Sequence, residues 1–157
     1  MIFDNVNTLQ VVNDFEDTFG TRLVAHYPEL RDCNIKIYTD REGDGFIKKY
    51  NDRDNSPYTS NHLVREIMRS EAVFNECGFT REEEFAIIAH ELGHFVAGVR
   101  GEKSTDNMEE ERRADAMAVF LGLKEEMIST IRKMIDLNIH PENNAEMEER
   151  INHLRQV

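Results

Sequence analysis

The segment from Thr80 to Gly101 constrains this chain more than any other, because it sets ionisable side chains beside the apolar stripe of one strongly marked helix. Thr80-Arg81-Glu82-Glu83 reads as a capping box, in which the Thr80 hydroxyl and the Glu83 carboxylate satisfy backbone donors at a helix start. Phe85, Ile88, Ala89, Leu92, Phe95, Val96 and Val99 then recur at three- and four-residue spacing, and Gly101 supplies a stop. The string His90-Glu91-Leu92-Gly93-His94 lies inside this helix. Two histidines at i and i+4 share a face with Cβ atoms roughly 6 Å apart, so both imidazoles can reach one metal ion. Glu91 is one residue along and turned partly away. From there its carboxylate can address a metal-bound water without taking a coordination position, as a general base for hydrolysis must. Gly93 costs about 1 kcal/mol relative to alanine in a helix interior, which points to a close approach to the backbone there, most simply by a neighbouring strand.

A second helix is expected from about Met108 to Leu121, with Met108, Ala114, Met117, Ala118 and Leu121 inward. Glu111 and Asp115 on it are again i and i+4. Glu111 is the expected third ligand, giving a His-His-Glu site for one zinc ion per chain with the fourth position left to water. Asp115 would stand behind the ligands and accept the other ring N–H of His90, fixing its tautomer. Glu110 is the rival ligand, being adjacent and chemically identical, but it has no aspartate partner four residues on.

The run from Phe79 to His94, taken with Glu111-x-x-Ala114-Asp115, resembles the gluzincin metallopeptidases. Within them it is most similar to the group containing the membrane-protein quality-control protease HtpX, the CaaX prenyl proteases and their small soluble relatives. The resemblance implies that His90, His94 and Glu111 bind zinc and that Glu91 is the catalytic base. The ImmA/IrrE group of cytoplasmic metallopeptidases is a second relative, sharing the H-E-L-G-H helix and a downstream glutamate helix. Its downstream motif usually carries asparagine where this chain has Asp115. A later segment, His140-Pro141 with Arg150-Ile151 and Leu154, is similar to the H-P…R-I-x-x-L element of the first group, though with a longer spacer. By that similarity His140 would donate to the tetrahedral oxyanion and Arg150 would support an active-site carboxylate. Read without it, His140-Pro141 is a helix-to-helix turn and Arg150 pairs with Glu146 on a solvated face. No N-A-F segment of the family precedes the first strand. The expected chemistry is peptide-bond hydrolysis by a metal-activated water. The alternative is a non-catalytic zinc-binding regulatory or peptide-sensing domain on the same fold.

The rest of the chain bounds function by exclusion. A formal charge of −12 over 157 residues argues against a nucleic-acid partner, since phosphate backbones need clustered lysine and arginine. A peptide or protein substrate is the expected partner, and the sequence does not specify an oligomeric state. No apolar run is long enough for a transmembrane segment. Met1-Ile2-Phe3-Asp4-Asn5 does not read as a signal peptide, and Cys33 and Cys77 lack C-x-x-C spacing and read as reduced thiols. A cytoplasmic location is expected on these grounds.

Upstream, Val11, Val12, Phe15 and Phe19 predict a first helix ending at Gly20, and Asn34 to Tyr38 alternates as a strand. Turn-rich residues from Asp40 lead to a second possible strand at 45–50; Asp40, Glu42 and Asp44 alternate as in a calcium loop but lack its terminal glutamate. Asn51 to Ser60 reads as a loop, and Asn61 to Glu76 as a helix through Leu63, Ile67, Met68, Ala72 and Val73. Further helices are expected at Leu123–Leu137 and Ala145–Leu154. The sum is one zincin-like domain over 1–157 of α+β class: a small, mainly antiparallel sheet beside five or six helices. By resemblance, the strand near 45–50 would take substrate along the sheet edge.

Overall fold

Phe3–Asn5 opens the chain as strand β1, and helix α1 (Gln10–His26) carries it over to strand β2 (Ile35–Asp40), which pairs with β1 in parallel. The computed structural model describes residues 1–40, 58–61, 64–102 and 104–157. Strands β3 (Tyr58–Asn61) and β4 (Glu66–Ser70) follow, then helices α2 (Glu71–Cys77), α3 (Arg81–Val99), α4 (Asn107–Phe120), α5 (Lys124–Asp136) and α6 (Asn144–Gln156). The class is α+β, with six α-helices among the described residues.

The sheet differs from expectation. Its order is β1-β2-β4-β3, with β1–β2 and β2–β4 parallel and only β3–β4 antiparallel. It is therefore mainly parallel, not mainly antiparallel. The cause is connectivity, since β1 reaches β2 through a helix, the crossover a parallel pair requires. Turn-rich sequence after Asp40 suggested a hairpin, but residues 41–57 lie outside the described residues, as does the possible strand at 45–50.

The helix expected over Asn61 to Glu76 divides into β4 and α2. Ile67 and Met68 are adjacent and both buried, as a strand covered on both faces allows. Ser70 then caps α2 by accepting the Val73 N–H, and Gly78 ends it in the left-handed conformation at φ 60°. The loop reading of Asn51 to Ser60 is corrected at its end, where Tyr58–Ser60 belong to β3. Helix α1 runs through Gly20 rather than stopping there, because Leu23 continues its buried stripe.

One main apolar cluster joins Phe15 and Leu23 of α1, Ile35 and Ile67 of the sheet, and Ile88 and Leu92 of α3. Helix α3 is its axis and touches α1, α4, α5 and β3. Every residue from Glu83 to Gly93 is buried. A helix enclosed on all sides must find partners for its polar side chains inside the protein. None of the described helices is long and apolar enough to cross a membrane.

Candidate metal centre

Helix α3 starts where its sequence says it should. Thr80 accepts from the Glu83 N–H, and the Glu83 carboxylate accepts from the Thr80 N–H at 2.8 Å. That start fixes the rotation of the helix, and with it the face on which His90 and His94 stand. Helix α4 begins with equal definition, its cap Asp106 accepting from the N–H groups of Met108 and Glu109.

The two helices approach backbone to backbone. A Cβ built on Gly93 would lie 2.7 Å from Ala114 Cα and 2.8 Å from Ala114 O, so only glycine fits. The close neighbour anticipated at Gly93 is thus a helix, not a strand. Ala114 sits between Glu111 and Asp115 in sequence, and Gly93 between His90 and His94. The contact therefore brings the four side chains face to face.

The result is a triangle of donor groups, two imidazole nitrogens and the two oxygens of one carboxylate. His90 Nε2 lies 3.1 Å from His94 Nε2 and 3.2 Å from Glu111 Oε2, and His94 Nε2 lies 3.3 Å from Glu111 Oε1. Donors about 2.0–2.1 Å from a tetrahedral zinc ion stand about 3.3 Å from each other, so the spacing fits that ion. Glu110, the rival ligand, instead accepts from the Ser104 N–H at 2.9 Å.

Behind the triangle, Asp115 is 1 % exposed and its Oδ1 lies 2.8 Å from His90 Nδ1. Arg150 on α6 donates to both oxygens of the same carboxylate, Nε to Oδ2 at 2.9 Å and Nη2 to Oδ1 at 2.8 Å. Burial would raise the Asp115 pKa, but Arg150 and then His90 hold it at about 2. An ionised carboxylate only accepts, so His90 keeps a proton on Nδ1 and turns Nε2 to the triangle, where ligation would use its lone pair. Arg150 Nη1 also lies 3.5 Å from Glu111 Oε2. The pairing of Arg150 with Glu146 is not what forms; Glu146 accepts from Asn107.

Electrostatics make the centre a trap for positive charge. Burial opposes a charged His90 ring, yet Glu111 and Asp115 outweigh it and raise its pKa to about 10. Burial likewise opposes ionisation of Glu111, but His90, His94 and Arg150 drive its carboxyl far below the usual range. Glu91, 9 % exposed, adds its field to those of Asp115 and Glu111 in keeping Arg150 charged. Three carboxylates against one guanidinium leave two formal negative charges for neutral histidines to share with a cation. That balance matches a divalent ion.

His140 is the remaining expected residue. It precedes the 3-10 turn Pro141–Asn143, its Nδ1 lies 3.5 Å from Glu142, and its Nε2 is buried with no hydrogen-bond partner. Among the described residues none of these contacts joins it to the triangle. Sequence reasoning also missed a second buried set on α3. Glu84 Oε1 accepts from Tyr58 Oη at 2.8 Å and from Arg69 Nε at 2.6 Å, tying β3 and β4 to the helix. A glutamate within an apolar helical stripe was the available signal. Comparison with known proteins finds no matching family model, no matching curated protein and no matching solved structure.

Proposed function

We propose that this chain is a zinc-dependent metallopeptidase of gluzincin type, holding one zinc ion on His90, His94 and Glu111 and hydrolysing peptide bonds. The observation that carries the reading is the convergence of two imidazole nitrogens, 3.1 Å apart, on the Glu111 carboxylate, whose oxygens lie 3.2 Å from His90 and 3.3 Å from His94, with the outer nitrogen of His90 already committed to Asp115. When bound, zinc supplies Lewis acidity and lowers the pKa of a water in its shell. Asp115 holds the His90 tautomer that ligation needs, and Arg150 keeps Asp115 ionised and in place. Glu91, adjacent to His90 on α3, takes the proton of the attacking water and passes it to the leaving amine. An extended peptide adds along β3, the one of the two outer described strands that lies against α3. Two free cysteines suit a reducing compartment.

The test is elemental analysis with casein hydrolysis. Wild type should carry about one zinc per chain and cleave casein, while Glu91→Gln keeps the metal and loses about 10²–10⁴-fold in kcat. His90→Ala and His94→Ala should lose the metal. Undiminished cleavage by Glu91→Gln removes the proposed base, and a zinc-loaded wild type that cleaves nothing favours a peptide-sensing domain instead.

A further inference from the structure

The buried set around Glu84 carries charge in a place where stability alone does not call for it. The Glu84 side chain is 8 % exposed and that of Arg69 15 %. Replacing such an ion pair with apolar groups of similar volume is often neutral or stabilising, so its presence points to a demand for geometry. The connections are specific. Arg69 Nε and Tyr58 Oη converge on one oxygen of Glu84, Arg69 Nη1 reaches Glu71 Oε1 at 2.9 Å, and the guanidinium lies 3.9 Å from the centre of the Phe74 ring. Tyr58 and Arg69 are also directly paired across β3 and β4. One buried carboxylate on α3 therefore grips the start of β3 and the strand beside it.

Glu84 and Glu91 are seven residues apart on the same helix. That is nearly two full turns, about 10 Å along the axis and about 20° from the same azimuth. The face of α3 that carries the general base is thus the face that holds the sheet edge.

We propose that Arg69, acting through Glu84 and Tyr58, is a positioning residue for peptide binding: the network fixes the height of β3 over α3, and so the register of an extended substrate relative to Glu91 and the metal triangle. The inference rests on the peptidase reading above for its substrate class. It adds a specificity device remote from the metal.

The experiment uses two variants of the full chain. Tyr58→Phe removes one hydroxyl bond and leaves the ion pair. Arg69→Met alone would strand a buried carboxylate, so the double substitution Arg69→Met with Glu84→Met removes the charges together. Three readouts are taken: zinc per chain, hydrogen exchange of the β3 amides, and casein binding. The last is measured as KM and as the Kd of fluorescein-labelled casein for the same variants carrying Glu91→Gln. Expected are unchanged zinc, faster β3 exchange without faster exchange of α3, and a rise of about tenfold in KM and Kd with kcat within about twofold. Zinc-loaded variants with parental β3 exchange or parental casein affinity overturn the proposal, as does exchange that rises only through global unfolding. Failure of the peptidase reading looks different. Wild type then cleaves no casein, yet labelled casein still binds and still weakens with the variants; absence of any casein binding overturns the inference as well.

Discussion

Gly93 and Ala114 stand closer than any pair of side-chain-bearing residues could. A Cβ at Gly93 would meet the Ala114 backbone at 2.7 Å, and backbone cannot swing aside as a flexible side chain would. Gly93→Ala therefore sets two effects against each other. Alanine gains about 1 kcal/mol of helix propensity, whereas overpacking of this kind costs about 1–3 kcal/mol and is relieved only by moving α4 away from α3. The clash should win, and zinc affinity should fall at least about tenfold as Glu111 and Asp115 withdraw from the histidines. Chelator competition and thermal unfolding read both quantities. An alanine variant that binds zinc like wild type would show that this contact does not set the ligand spacing.

Arg150 is the strongest link between the C-terminal helix and the centre. It makes two bonds to a carboxylate that is 1 % exposed, so Arg150→Met leaves Asp115 buried with its guanidinium lost and His90 as its remaining partner. The expected cost is about 3–5 kcal/mol in stability, with a loss of zinc affinity of about 10–100-fold. Arg150→Lys keeps the charge but lacks the planar fork, and should fall between the two. Urea unfolding of the metal-free proteins separates the stability effect from the affinity effect. Equal stability of Arg150→Met and wild type would contradict the buried pairing.

How much of this was legible in the sequence follows from the range of each signal. The α3 start, the histidine pair and the Glu111–Asp115 spacing are local, being set by capping and by 3.6-residue periodicity, and they were readable. The parallel sheet was not, because strand direction is decided by partners distant in sequence, and β1 is only Phe3–Asn5. Residues 61–76 misled for a different reason. Leu63 and Ile67, and then Met68 and Ala72, fall four apart and mimic a helical stripe, although a strand ends and a capped helix begins at Ser70. Arg150 was readable as a choice between some active-site carboxylate and Glu146, and only tertiary packing singled out Asp115. Glu84 gave no pattern at all beyond its place among apolar neighbours.

Glu83 does more than cap α3. Its carboxylate accepts from Ser129 Oγ and Lys133 Nζ, each at 2.6 Å, and so ties α5 to the start of α3. Burial opposes its ionisation, but Lys133, Ser129 and the Thr80 N–H prevail and hold its pKa below the ordinary 4.5. A carboxylate depressed on folding contributes stability that is present above pH 4.5 and is lost as pH falls through the lower folded value. Glu83→Gln should be less stable than wild type by about 1–2 kcal/mol at neutral pH, a modest figure because Lys133 is about one-third exposed. The gap between the two proteins should then close below pH 4. Paired thermal melts from pH 7 to pH 3 test this, and a constant gap across that range would rule out the linkage.

His90 gives the metal-free protein an opposite dependence at the alkaline end. Its ring titrates near 6.5 when exposed and near 10 in the folded, metal-free centre. A group raised on folding contributes stability that is complete below pH 6.5 and is lost as pH rises through about 10. Ligation requires the Nε2 lone pair while Nδ1–H stays with Asp115, so zinc must displace the Nε2 proton. Zinc affinity should accordingly rise with pH, by about tenfold per unit where one proton is released, across the same window in which the stripped protein loses stability. Calorimetry in buffers of different ionisation enthalpy counts the proton directly, and melts of stripped and loaded protein at pH 7 and pH 9 should diverge. Zinc affinity that is flat over this window, with no proton released, would mean that the ring is already neutral and that its two acidic neighbours, Glu111 and Asp115, do not act on it as their distances imply.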